Sequence, residues 1–116
     1  MANNLGLIGE KLVKRYLIRR FYKILKCNYN SKYGEIDIIA KRGKYLVFVE
    51  VKTRSKNSYG SPAEYVTKQK QQKIIKTAYS FVFKYPYNLY YRFDVAEVYE
   101  NSGKFNINYI KNAFGE

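Results

Sequence analysis

The sequence predicts an α/β domain in which a mixed sheet is flanked by helices, in the order αβββαββ. Three observations point there. Two stretches carry apolar residues at three- and four-residue steps, as amphipathic helices do. Runs of β-branched and aromatic residues on either side of Lys41-Arg42-Gly43-Lys44 read as a hairpin. Two more β-rich runs follow the second helical stretch. With 116 residues, 47% of them hydrophobic, the chain can bury one core without disulfide or metal staples. It contains no internal repeat and is expected to form a single domain over residues 1–116.

The first helix is expected from Asn4 to Arg20, with Leu5, Ile8, Leu12 and Tyr16 on one face and Asn3 or Asn4 as cap. Gly6 and Gly9 lie inside it, each costing about 1 kcal/mol against alanine. Their presence predicts close approach of another backbone, or space for a ligand near Glu10. The plainer role for Glu10 is an exposed acid favoured by the helix dipole. Lys11, Lys14, Arg15, Arg19 and Arg20 cover the outer arc, where they face phosphates or simply water. A short strand, Tyr22 to Asn28, and a loop, Asn30 to Gly34, lead into the hairpin. Residues 55–62, SKNSYGSP, are the most loop-like segment and the best candidate for a mobile element beside a site. The second helix is expected from Thr67 to Phe83, capped by Thr67. Ile74, Ile75, Ala78, Phe81 and Val82 form its buried stripe, and Lys68, Lys70, Lys73 and Lys76 its basic flank. Lys70 reaches toward the hairpin's charges, reaches toward a phosphate, or is solvated. Strands near Tyr90–Tyr99 and Phe105–Ile110 complete the domain. Most of the 14 tyrosines are expected to pack one ring face and wet the hydroxyl rather than stack on bases. Arg92 and Asp94, two apart on one strand, are expected to pair.

The hairpin carries the chemistry. With Gly43-Lys44 as a two-residue loop, Arg42 faces Tyr45, Asp37 falls opposite Glu50, and Glu35 falls opposite Lys52. Strict alternation then sets Glu35, Asp37, Glu50 and Lys52 on one face. Charges embedded in strands such as Val47-Phe48-Val49-Glu50-Val51 are costly unless paired or used. Two opposed carboxylates repel, and a hard divalent cation relieves the conflict, with a backbone carbonyl and water completing an oxygen site. A lysine beside such a cation can hold an attacking hydroxide or a phosphoryl oxygen. The plainer alternative is a cross-strand ion pair of Lys52 with Glu35 or Glu50. The apolar context, which reads as a central strand, speaks against it.

Asp37, twelve intervening residues and then Glu50-Val51-Lys52 resemble the PD-(D/E)xK nuclease signature, with Ile36 where the name has proline. A wider ordered set is similar to the bacterial YraN-like family of predicted endonucleases. It comprises Gly9-Glu10, Gly34-Glu35-Ile36-Asp37, Val47 to Arg54, Gly60-Ser61-Pro62, Val66, Lys70, Arg92-Phe93-Asp94-Val95 and Asn112-Ala113-Phe114. That family in turn resembles archaeal Holliday junction resolvases. The resemblance implies a restriction-endonuclease-like core and metal-dependent phosphodiester hydrolysis, on branched or junction DNA in particular. It implies Asp37, Glu50 and the Val51 carbonyl as ligands of Mg²⁺ or Mn²⁺. Lys52 would steer the water, and Glu10 would complete the site directly or through water. Arg54, Lys70 and Lys73 are the candidate nucleic-acid contacts.

Charge agrees with such a partner. Twenty-two Lys and Arg against nine Asp and Glu give +13, a field that favours polyanions, although lysine-rich coding bias produces the same balance. The lone Cys27 suits a reducing compartment. No apolar run is long enough to span a bilayer, and the N-terminus lacks the pattern of a signal peptide, so a cytoplasmic protein without membrane association is expected. The expected partner is nucleic acid, DNA before RNA, with a homodimer compatible. The competing reading from a different class is a noncatalytic nucleic-acid-binding module that retains the fold. A protein-interaction domain would have little use for the acids.

Overall fold

The computed structural model describes residues 4–55 and 66–115. The expected order is present: helix α1 (Leu5–Arg19), strands β1 (Lys23–Ser31), β2 (Gly34–Arg42) and β3 (Tyr45–Ser55), helix α2 (Lys68–Lys84), and strands β4 (Tyr90–Asn101) and β5 (Lys104–Phe114). The five strands form one sheet in sequence order. Only β3–β4 is parallel among the described pairs, because α2 carries the chain back across the sheet. β3 therefore occupies the centre, as its uninterrupted apolar run required. The loop expected at 55–62 falls, apart from Ser55, outside the described residues.

Each helix covers one face. Val13 and Leu17 of α1 pack on Ile38, Ala40, Val47, Val49, Ala96 and Val98. Ile74, Ile75, Ala78 and Phe81 of α2 pack on Ile36, Ile39, Leu46, Phe48, Phe93 and Val95. Phe48 and Phe93 stack at 5.3 Å, and Phe93 stacks on Phe114 at the same separation. Each such buried ring contributes about 1.5–3 kcal/mol. Thr67 caps α2 by accepting the Lys70 N–H at 3.1 Å. Asn4 occupies the cap position of α1, but its side chain makes no cap bond there.

Four expectations are corrected. β1 runs to Ser31 rather than Asn28, since it stays paired with β2 down to Ser31↔Gly34. β5 continues to Phe114, held by a bond from the Asn112 N–H to Asp94 at 2.9 Å. In α2, Thr77 is fully buried while Val82 is only half-buried. The Thr77 hydroxyl bonds the Lys73 carbonyl at 2.8 Å and lies 2.9 Å from Ser31 Oγ, so burial leaves it satisfied. Finally, Gly9 and Gly6 differ. A Cβ at Gly9 would collide with the Thr53 side chain of β3, whereas one at Gly6 would meet open space. Only Gly9 marks a close approach.

Candidate active site

The site begins with a turn. Gly43, at φ 57°, lets Arg42 face Tyr45, and the ladder then runs as that turn dictates to Ile38↔Val49. There it ends, one pair short of Asp37 and Glu50. Beyond it β2 remains with β1, and β3 remains with β4 as far as Ser55↔Glu100, so the sheet opens as a fork between β2 and β3. Asp37 stands at the crotch, and its Oδ2 accepts the Val51 N–H at 2.8 Å in place of a ladder bond. Strict alternation also fails here. Ile36 packs under α2 and Ile38 under α1, so β2 twists at Asp37, across from Asn28 with its positive φ of 54°. The backbone pairs Asp37–Glu50 and Glu35–Lys52 do not form, because a carboxylate has taken the amide that such pairing would engage. Glu35 is left exposed.

The two carboxylates are nevertheless near enough for the charge of Glu50 to act on Asp37. Glu50 is 6% exposed and lies on the α2 face of β3, where its Oε2 sits 2.7 Å from Lys70 Nζ. Burial first, then the negative charge of Glu50, lift the Asp37 carboxyl from 3.8 to about 7. Glu10 of α1 and Glu35 add smaller pushes in the same direction, while the Val51 N–H opposes them. Lys52, half-buried on the face it shares with Glu50, is held below the usual lysine range by burial and then by the neighbouring Lys70 charge. Burial works against the charged form of Lys70 as well, but its bond to Glu50 overrides this and holds the ammonium above the usual range. Their surroundings thus shift the two amines in opposite directions.

The placement of the remaining candidates follows. Arg54 lies further along β3, close enough for its charge to depress Lys52. Lys73 is one turn of α2 beyond Lys70, its Cβ beside Gly34. Lys70, a candidate nucleic-acid contact, bonds Glu50 of the acid pair. Among the described residues no three acidic, histidine or cysteine side chains converge closely enough to ligate an ion unaided. The available donors are two carboxylates and the Val51 carbonyl. Because the N–H and C=O of one strand residue point toward the same neighbour, that carbonyl faces the fork, as its N–H does.

Sequence reasoning missed Glu97. It pairs with Lys52 across the parallel ladder, is 2% exposed, and accepts from Asn108 at 2.9 Å, leaving Oε2 without a hydrogen bond. The available signal was an acid inside Val95-Ala96-Glu97-Val98, the same sign that identified Glu50. Arg92 and Asp94, by contrast, pair as expected. Asp94 is fully buried and takes bonds from Arg92, the Tyr109 hydroxyl at 2.6 Å and the Asn112 N–H. Burial and the adjacent carboxylate push the Tyr109 phenol up, so it remains a donor. This network joins β4 to β5 and, through Arg92, reaches Tyr22 at 2.6 Å. It is structural and lies apart from the fork.

Comparison with known proteins covers the same region. Residues 9–98, which span Glu10, Asp37, Glu50, Lys52 and Lys70, match the family described as "Uncharacterised protein family UPF0102". A UPF0102 protein of Alkaliphilus metalliredigens is 46% identical over 115 residues, covering 98% of this chain and 100% of its own. One from Clostridium beijerinckii is 48% identical over 114 residues, covering 96% and 93% respectively. The UPF0102 protein TTE1452 of Caldanaerobacter subterraneus subsp. tengcongensis is 45% identical over 113 residues, covering 94% and 93%. With near full-length likeness on both sides and a family match over most of its residues, the chain belongs to the UPF0102 family.

Proposed function

We propose that this protein is a metal-dependent endonuclease that hydrolyses phosphodiester bonds in nucleic acid, DNA before RNA, as its resemblance to the PD-(D/E)xK nucleases and junction resolvases implies. The observation that carries the reading is the carboxylate pair at the fork: Asp37, lifted to about 7, beside the buried Glu50. Keeping two repelling acids together costs stability that a purely structural site would have no reason to bear. The donor set fits a hard cation. Asp37, Glu50 and the Val51 carbonyl would hold Mg²⁺ or Mn²⁺, with water filling the other positions. When bound, the ion would polarise a phosphoryl oxygen and make water a better nucleophile.

The side chains divide the remaining work. Lys52, on the same face of β3 as Glu50, suits orienting the attacking water and screening the charge that develops on the phosphoryl group. Lys70 stays charged and suits a phosphate oxygen once Glu50 turns to another cation. Glu10 contributes negative charge within reach of Asp37 and would hold an outer water. A second reading, a noncatalytic binding module, is favoured by the 2.7 Å Lys70–Glu50 contact, since an internal ammonium already neutralises one acid.

The experiment that tests this is cleavage of branched, duplex and single-stranded substrates with Mg²⁺ and Mn²⁺, alongside calorimetric titration of Mn²⁺. The expected result is cleavage that Lys52→Ala removes while Mn²⁺ still binds. Binding of Mn²⁺ without cleavage of any substrate would favour the noncatalytic module. Equal cleavage by wild type and Lys52→Ala would mark the activity as contamination.

A further inference from the structure

Away from the acid pair, α2 and the β1–β2 turn enclose an open groove of about 970 Å³. Its floor is fixed by the Ser31–Thr77 hydroxyl contact, which holds the turn against the helix. Its walls include Tyr33, Tyr79 and Phe83 together with Lys32, Lys76 and Lys84, and among the described residues no acidic side chain lines it. Tyr33 is 41% exposed, Tyr79 44% and Phe83 92%. A phenylalanine this open gives the folded protein little, so its aromatic surface is available to a partner.

The arrangement is ordered. Tyr79 and Phe83 are four residues apart on α2 and so lie one above the other, about 6 Å apart. Lys76, Ser80 and Lys84 form a parallel row at the same spacing. Across the groove, Lys32 and Lys76 each place an ammonium over the Tyr33 ring, at 5.3 and 5.6 Å. A row of aromatic faces beside a row of cations matches a strand with bases on one side and phosphates on the other. A second copy of this chain would bring the same positive groove lining against a molecule of charge +13, which disfavours self-association there.

We infer that this groove is a binding track for single-stranded nucleic acid, with unpaired bases stacking on Tyr79 and Phe83 and phosphates meeting Lys32, Lys76 and Lys84. This rests on the proposed nuclease reading for its meaning but not for its test. From Lys76 to Lys84 the stretch of α2 that lines the groove is about 12 Å long at 1.5 Å per residue. That length accommodates roughly three to four stacked nucleotides. The substrate class is then nucleic acid that carries an unpaired strand: a duplex with a single-stranded tail or a branched molecule with a single-stranded arm.

The test is fluorescence-anisotropy binding, in EDTA, of labelled twelve-nucleotide oligothymidylate and oligouridylate, with a duplex of equal length and inorganic polyphosphate for comparison. Wild type should prefer either single strand to the duplex. Phe83→Ser should weaken single-strand binding about tenfold, and Tyr79→Ser with Phe83→Ser by more, because each stacked base contributes about one order of magnitude in affinity. Polyphosphate binding should be unchanged in both. Phe83→Ser alone keeps the result interpretable, since the side chain it removes is almost wholly exposed. Lys76→Glu should lower affinity for every polyanion and flatten its salt dependence. Single-strand affinity unchanged in both aromatic variants would overturn the inference. So would equal wild-type affinity for strand, duplex and polyphosphate, or a dimer in sedimentation that Phe83→Ser dissolves. Groove binding without any metal-dependent cleavage would uphold the track and defeat the nuclease reading. Cleavage of tailed substrates that is indifferent to the aromatic variants would do the reverse.

Discussion

Asp37→Asn should make the protein more stable, and by an amount that depends on pH. In the folded chain the Asp37 carboxyl titrates near 7 rather than 3.8, so between those values the native state holds a proton that the unfolded chain has released. Stability therefore falls as pH rises through that window, and the loss is complete above about 7. The window spans roughly three pH units at about 1.36 kcal/mol each, a ceiling of about 4 kcal/mol. Asparagine cannot ionise, and its Oδ1 can still accept the Val51 N–H, so the variant keeps the hydrogen bond and sheds the repulsion. The expected gain is about 2–4 kcal/mol at pH 8, shrinking to near zero at pH 4. Urea unfolding followed by circular dichroism, from pH 4 to pH 9 in EDTA, measures it. Taking the difference between the two proteins cancels the titration of carboxylates remote from the fork. Millimolar Mn²⁺ should then raise the midpoint of wild type and leave the variant unmoved, since only a native state that binds the ion gains from it. A variant no more stable than wild type at pH 8 would refute the account of Asp37, as would a gain that persists at pH 4.

Three further outcomes follow from the same geometry. Lys70→Met should tighten Mn²⁺ binding measured by calorimetry, because Glu50 loses its internal cation; unchanged or weaker affinity would remove Glu50 from the ligand set. Gly9→Ala should cost about 1–3 kcal/mol through the clash with Thr53, while Gly6→Ala should gain about 0.5–1 kcal/mol, and denaturant midpoints separate the two. Asp94→Ala should cost about 3–5 kcal/mol, since it strands Arg92, the Tyr109 hydroxyl and the Asn112 N–H. A loss under 1 kcal/mol on urea unfolding would mean that the network relaxes onto water.

Much of the site was legible because a single turn residue governs it. Gly43 sets the partner of Arg42, and every later β2–β3 pair follows. The nearness of Asp37 to Glu50 was therefore readable from spacing. The fork was not, because it arises where a side chain outcompetes the backbone for the Val51 amide, and periodicity assumes the ladder continues. The contact of Lys70 with Glu50 is not written in the spacing, because the partner lies on another element and depends on how α2 crosses the sheet. The helix and strand identities came through because each apolar stripe had one face to cover. The extra length of β1 and β5 escaped notice because polar residues such as Asn30, Ser31 and Asn112 extend strands only when a neighbour supplies the bonds.

The one parallel pairing among the described strands also bears on how the chain reaches this structure. β1, β2 and β3 meet through two tight turns and can zip locally. β3 and β4 join residues far apart in sequence, from Tyr45↔Tyr90 to Ser55↔Glu100, and this must wait for α2 to form and dock. Until then Glu50 lacks Lys70, and two acids confront each other in a half-built sheet. Divalent ions, or a solvent pH low enough to protonate Asp37, should therefore speed the refolding limb of a chevron more than they slow the unfolding limb. The acid pair would then act as a brake on the maturation of the nascent chain, released when the last strand arrives.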